Sequence, residues 1–310
     1  MKVVSFEKVI PQKNTSQEKI NIIYNFIQGV QAVGDLGSVN KTFDYENCDV
    51  AVIQGWQHEK GKTAPHLALR QKIIDTQARH QKYTITGDSN LFLYANKSNQ
   101  PHHYLRYSFN GIFPTTGIYC DDVIDPKRWQ QISKDCNIRL EKYKRKGKNI
   151  VLCLQRNGGW SMKGEDVQSW AIKTIGKIRL HTDRPIVLRP HPGDSKAMSY
   201  LGHRFSRLAN KGVHISAQGT PLEHDLQKAW AVVNHNSSSI VGPAIQGYHA
   251  FITDPNDSQC KEIADTDFSN IETPKEFDRQ QWLERISMFH WKFDELKDGS
   301  CWRHMRNYCQ

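Results

Sequence analysis

Along the first 125 positions, apolar residues fall alternately into short continuous runs and into helical spacing, the pattern of strands alternating with helices. Residues 1–6 form the first apolar run and predict a strand. Thr15-Ser16-Gln17-Glu18 has the form of a capping box, and behind it Ile20, Ile23, Phe26, Ile27 and Val30 recur at helical spacing up to Gly34. A buried strand is predicted over 48–53 with Gly55-Trp56 as its exit turn, followed by a helix from Pro65 to His80. Proline fits the first turn of a helix, where its missing N–H has no partner to lose. A third strand, 83–86, stops at Gly87-Asp88-Ser89-Asn90.

Asp125-Pro126 then opens a polar, helix-like connector that ends in the charge run 139–148, read as a solvated helix end whose cations suit the helix dipole. A second series of the same kind follows, with strands at 149–154, 185–189, 213–216, 231–234 and 250–253. Helices are predicted at 166–178, 196–210 and 222–228, and from the serine run to Gln246. Trp282, Ile286, Phe289, Trp291 and Phe293 make the remainder aromatic and helical. The organisation expected is an α/β domain over 1–125, a connector helix over 126–147, a second α/β domain over 148–275 and a helical segment over 276–310.

Composition narrows the function classes. A chain of 310 residues with 10% aromatic residues and recurrent apolar runs is no disordered polypeptide, and no run approaches the ~20 apolar residues that span a bilayer. Without a signal-peptide core at the N-terminus, a cytoplasmic location is expected, the host cytoplasm if the source is viral. The seven cysteines are scattered and lack zinc spacing, so reduced thiols are expected. A net charge of +10 biases the chain toward polyanions.

Ligands of open α/β sheets bind at the carboxyl ends of strands, which selects the residues to inspect. After strand 231–234 comes Asn236-Ser237-Ser238-Ser239, where hydroxyls, free backbone N–H groups and the positive end of a helix dipole suit a phosphate. One serine is explained by helix capping alone; four polar residues exceed that. Arg189-Pro190-His191-Pro192 ends another strand in a cation and an imidazole held by two prolines. Arg156-Asn157-Gly158-Gly159 follows the first strand of this series, without a P-loop pattern. In the first domain, Asp88 ends a strand where a general base or nucleophile could act, or simply caps its own turn. His58, His66, His102 and His103 are further bases. No carboxylate pair with metal-like spacing is evident, so no metal and no cofactor other than a nucleotide-sugar co-substrate is expected.

Taken in order, these motifs resemble those of the capsule-polysaccharide Kdo transferases. Gly55-Trp56 with Lys62-Thr63-Ala64 is similar to that family's Gly-Trp-Gly loop, and Gly87-Asp88-Ser89-Asn90-Leu91-Phe92 stands where it has Glu-Asp-Gly-Phe. Thr116-Gly117-Ile118-Tyr119-Cys120-Asp121 resembles its Gly-Ile-Tyr-Tyr-Asp, Arg189-Pro190-His191-Pro192 its Pro-His-Pro turn, and the serine run through Gly247 its Ser/Thr loop and helix. The departures are Gly87 before the aspartate, Ser89 after it, and Gly242-Pro243-Ala244 where the family carries a glutamate. The resemblance implies a GT-B fold of two facing Rossmann-like domains, with the active site in the cleft between them. It implies Asp88 as the catalytic carboxylate and His191 with Ser237, Ser238 and Ser239 on the donor's phosphate; from their places at the strand exits, Arg156, Asn157, Gly158, Arg189 and Asn236 are expected beside them on a UDP- or CMP-linked donor. Trp56 and His66 fall on the acceptor side.

The activity expected is transfer of a sugar to an acceptor hydroxyl. The charge and the basic connector direct the acceptor expectation to a 5-hydroxymethylpyrimidine base in double-stranded DNA of phage type, with Trp56 as the contact to a flipped base. The family resemblance directs it to a polysaccharide or lipid-linked sugar instead. A non-enzymatic nucleic-acid-binding module would need neither phosphate loops nor a cleft carboxylate.

Overall fold

A computed structural model describes residues 1–11, 17–57, 64–94, 104–205, 208 and 211–309. Thr15 and Ser16 of the capping box, Lys62, Thr63, His58, His102 and His103 lie outside the described residues. The chain runs β1 (Lys2–Phe6), α1 (Gln17–Ala32), β2 (Leu36–Asn40), β3 (Val50–Gln54), α2 (Pro65–Arg79), β4 (Tyr83–Asp88), β5 (Leu105–Phe109) and α3 (Pro126–Asp135). It continues with β6 (Asn149–Cys153), α4 (Val167–Arg179), β7 (Ile186–Arg189), α5 (Ala197–Phe205), β8 (Val213–Ile215), α6 (Leu222–Leu226), β9 (Ala229–Asn234), α7 (Val241–Ile245) and β10 (His249–Ile252). The last elements are α8 (Arg279–Ser287), β11 (His290–Trp291), α9 (Phe293–Lys297) and α10 (Ser300–Arg306). No helix among the described residues is long and apolar enough to cross a membrane.

Two compact units result, one of Met1–Leu91, Ser98–Asn137 and Leu283–Gln310, the other of Phe92–Lys97 and Ile138–Trp282. The segment expected at 276–310 as a separate piece is thus divided, and most of it completes the first unit. That unit's sheet has the order β11-β5-β4-β3-β1-β2, in which β1 to β4 are parallel, β5 runs antiparallel to β4, and β11 runs antiparallel to β5. Strands buried on both faces read as continuous apolar runs, which is why β1 and β3 were legible. β2 was not predicted because it is a partly exposed edge carrying Gly37, Ser38 and Asn40. β5 was missed although it alternates: Leu105, Tyr107 and Phe109 enter the core, while Arg106 between them faces the other way. In the C-terminal segment Trp282, Ile286 and Phe289 keep helical spacing, but Phe289, Trp291 and Phe293 recur every second residue. The helical expectation therefore fails at β11, which pairs with β5.

The connector is also corrected. Only α3 is helical; residues 136–148 form no helix. The backbone N–H groups of Glu141 and Lys144 donate to Ile245 O (2.9 Å) and Gly247 O (2.8 Å), so this stretch satisfies its backbone on its neighbours and has no helix dipole for its cations. Arg279 fastens it, stacking on Tyr143 at 3.7 Å and donating to Glu141 O at 2.7 Å.

The second unit's sheet is wholly parallel, in the order β10-β9-β6-β7-β8. Ile150, Leu152, Ile186, Leu188, Val233 and Phe251 pack with Trp170 and Ile178 of α4 in its main core. From β6 the chain builds outward to β7 and β8, then returns to the opposite flank of β6 for β9 and β10. This reversal separates the loops that leave β6 and β9.

Two glycines make opposite predictions. A Cβ on Gly29, in the interior of α1, would lie 1.8 Å from Leu296 O, so Gly29→Ala is expected to lower unfolding free energy by ~2 kcal/mol or more. On the exposed face of α4, Gly176 has nothing within 4 Å of such a Cβ, and Gly176→Ala is expected to raise it by ~0.5–1 kcal/mol. Urea unfolding of the two variants beside the parent chain checks both signs.

Candidate active site

At the carboxyl ends of β6, β7 and β9 the second unit encloses a cavity of about 260 Å³. Cys153 and Leu154, Arg189 with His191, and Ser237 with Ser239 line it from three strand exits, and residues 219–222 close it. Four of the nine residues expected on a donor therefore meet in one space.

Each is held for a physical reason. Arg189 Nη1 donates to Asp225 at 2.6 Å, and Ser216 Oγ donates to the same carboxylate, which fixes the guanidinium. His191 Nδ1 accepts from Gly193 N at 3.0 Å. Burial, and then the charge of Arg156, hold the imidazole's pKa below its ordinary value. A neutral ring whose Nδ1 accepts must carry its proton on Nε2, so His191 is a hydrogen-bond donor without net charge. Ser237 accepts from Ser239 N at 3.2 Å and caps a 3-10 turn, Ser238–Ile240, ahead of α7. With α7 only five residues long, the expected helix dipole is small, and the hydroxyls and N–H groups supply the polarity instead.

The other five residues expected on the donor do not line this cavity. Asn236 accepts from Gln155 at 2.5 Å and donates to Ser161 O and Asp254, tying the β9 exit to the β6 exit. Asn157 turns its carbonyl back onto Gly158 N (3.1 Å) and Val167 N (3.4 Å). Gly158 takes φ +69° in open space, Arg156 is exposed, and Ser238 does not line the cavity. Asp194, which sequence reasoning missed, accepts from Asn157 N (3.1 Å), Tyr200 (2.8 Å) and Lys196 N (3.2 Å) and joins the β6 and β7 exits.

In the first unit Asp88 is the last residue of β4, directly opposite Arg106 on β5. Arg106 Nε and Nη2 both donate to Asp88 Oδ2, at 3.1 and 2.5 Å, and leave Oδ1 outside the pair. The turn after Asp88 is pinned by His290, whose Nε2 accepts from Leu91 N at 3.1 Å while Nδ1 donates to Ile286 O at 2.7 Å. Gly87 has no room for more: a Cβ would lie 2.9 Å from Ile22 Cγ2 and 3.1 Å from Tyr107 Cε1, which explains why no acidic residue precedes Asp88. His66 sits in the first turn of α2, its pKa lowered by burial and by Arg70. Trp56 packs partly buried against the β1–β3–α2 core and borders a separate cavity of about 430 Å³ with Ile74, Lys82 and Asn110. Among the described residues no cluster of three His, Cys, Asp or Glu side chains is placed to hold a metal.

Both units thus present residues at the carboxyl ends of Rossmann-like sheets. Thermosulfurimonas dismutans KpsC, a beta Kdo 2,4 transferase, is similar in structure over 93% of this chain and 90% of that one, with a TM-score of 0.53 and 11% identity. The chain has a Kdo-transferase-like GT-B fold. The beta Kdo 2,7 transferase of KpsC from the same organism covers 97% of this chain and 99% of its own at a TM-score of 0.49 and 13% identity, and the fold assignment rests on the former. No family model matches the sequence, and no curated protein sequence matches it either.

His290 gives the site a pH signature. Burial, followed by the neighbouring Arg106 and Arg128, pushes its pKa down to about 3, against ~6.5 for an unfolded histidine. Between those values the unfolded chain binds a proton that the folded chain refuses, so this contribution is complete above pH ~6.5 and falls by ~1.4 kcal/mol per pH unit below it. Unfolding free energies at pH 7 and pH 5 should show a shallower pH slope for His290→Gln than for the parent chain. Equal slopes would remove His290 from the account.

Proposed function

We propose that the protein is a glycosyltransferase that moves a sugar from a nucleotide-sugar donor to an acceptor hydroxyl. The observation that carries this reading is the convergence of Arg189, the neutral Nε2–H donor of His191, and the Ser237 and Ser239 hydroxyls on one cavity at a strand-order reversal. Such a set suits the phosphate of a UDP- or CMP-linked sugar. As the sugar–phosphate bond breaks, negative charge grows on the leaving phosphate, and fixed donors there lower the barrier without reorganising. Arg156, exposed and close enough for its charge to act on His191, adds a cation that has no ion pair with a carboxylate among the described residues.

Asp88 is the carboxylate proposed for the chemistry, with Arg106 fixing Oδ2 and Oδ1 left to take the acceptor's proton or to attack the anomeric carbon. The Kdo-transferase-like fold supports a glycan acceptor. The net charge of +10 supports a polyanionic one, which keeps hydroxymethylated DNA as a second reading. Trp56 would serve the DNA reading by stacking on an extruded base, and its packing against the β1–β3–α2 core weighs against that use.

The test is a screen of nucleotide sugars against oligosaccharides and hydroxymethylated DNA, with products weighed. Sugar transfer to an oligosaccharide is expected, undiminished by EDTA; sugar-bearing nucleosides would establish the DNA reading; no product with any pair would overturn both. His191→Ala should weaken nucleotide binding by about tenfold, the scale of a hydrogen bond to a charged group. Asp88→Asn should lower turnover by ~10²–10⁴-fold and leave nucleotide affinity unchanged. Near-normal turnover of the Asn variant would shift the catalytic role elsewhere.

A further inference from the structure

The first unit buries a cation whose donors are mostly unspent. Arg70, on α2, is 9% exposed, and its Nε donates to Val9 O at 3.0 Å, which holds the guanidinium beside the turn after β1. Nη1 and Nη2 lie over Gly55 at the β3 exit: a Cβ on Gly55 would stand 3.1 Å from Nη1 and 3.6 Å from Nη2. Gly55 also takes φ +73°, so both space and backbone require glycine there. Among the described residues neither Nη atom makes a hydrogen bond, and neither is sealed from solvent.

The nearby charges do not complete Arg70. Burial holds its pKa down to about 10, against the pull of the Asp88 charge, yet the hydrogen bonds of Asp88 go to Arg106. Among the described residues, Arg70 and Arg106 thus act on the one carboxylate of Asp88, and only Arg106 bonds it. A guanidinium held in place by burial and one backbone bond, whose Nη donors meet solvent but no protein acceptor among the described residues, is ready to take an incoming anion. The fork's planar geometry matches the two oxygens of a carboxylate or a phosphate better than any neutral group.

We propose that Arg70 Nη1 and Nη2 form an oxyanion site at the β3 exit, one that receives a carboxylate or a phosphate ester carried by a ligand of the first unit. The anion part of this inference stands on Arg70 and Gly55; only the identification of that ligand as a sugar rests on the transferase reading. Arg70 and Gly55 both belong to the first unit, and neither lines the His191 cavity of the second.

The experiment follows the Arg70 Nε–H resonance in the ¹⁵N-labelled full chain while glucuronate, glucose 6-phosphate and glucose are titrated in parallel. Arg70 should respond to at least one acidic sugar at tenfold or more lower concentration than to glucose. A preference for glucuronate assigns a carboxylate, and a preference for glucose 6-phosphate assigns a phosphate ester. Arg70→Lys, which keeps the charge and loses the fork, should weaken that binding by tenfold or more, and His191→Ala should leave the response in place. An Arg70 signal that moves no more with either acidic sugar than with glucose overturns the inference, and this arm uses the parent chain alone. Absence of any glycosyl transfer beside a clear Arg70 response would reject the transferase reading and leave the oxyanion site standing.

Discussion

In a parallel sheet every strand must be followed by a return of the chain, and the side on which it returns decides where neighbouring loops part. In the second unit the return reverses beside β6, so the loops leaving β6 and β9 diverge and a cavity opens between them. The opening is held by Gln155 with Asn236 across the reversal, and by Asp194 with Asn157 between the β6 and β7 exits. The positions of Arg189, His191, Ser237 and Ser239 all follow from that frame. Asn236 and the backbone N–H of Asn157, both expected on the donor, also serve that frame.

The two units handle charge differently. In the second, Arg189 is matched by Asp225, and His191 is kept neutral by burial, so the cavity is rich in donors without carrying a high uncompensated charge. In the first, Asp88 and Arg106 pair across β4 and β5, while Arg70 stays buried beside them with its fork open. A cavity of directed neutral donors suits a phosphate that must leave after reaction, whereas an open buried fork suits recognition of a group that stays anionic.

Much of this was legible in the sequence for one reason: parallel strands are apolar throughout, and their exits carry conspicuous residues. Arg189-Pro190-His191-Pro192 and the serine run lie at strand ends as read, and Asp88 ends β4. What was not legible depends on partners distant in sequence. Arg106 gives no local sign that it will face Asp88, although the alternation Leu105, Tyr107, Phe109 marked its strand. His290 lies 199 residues from the Leu91 backbone it receives, and Asp225 lies 36 residues beyond Arg189. The charge run at 139–148 was misread because its sequence shows polarity, while its structure is set by hydrogen bonds to Ile245 and Gly247.

If the cavity at the β6–β9 reversal holds a donor's phosphate, a crystal structure of the chain with bound UDP or CMP will show a phosphate oxygen within hydrogen-bond distance of His191 Nε2 and of the Ser237 or Ser239 hydroxyl, with the Arg189–Asp225 pair unbroken. A nucleotide bound with its phosphate away from these groups, or on the first unit, would contradict it.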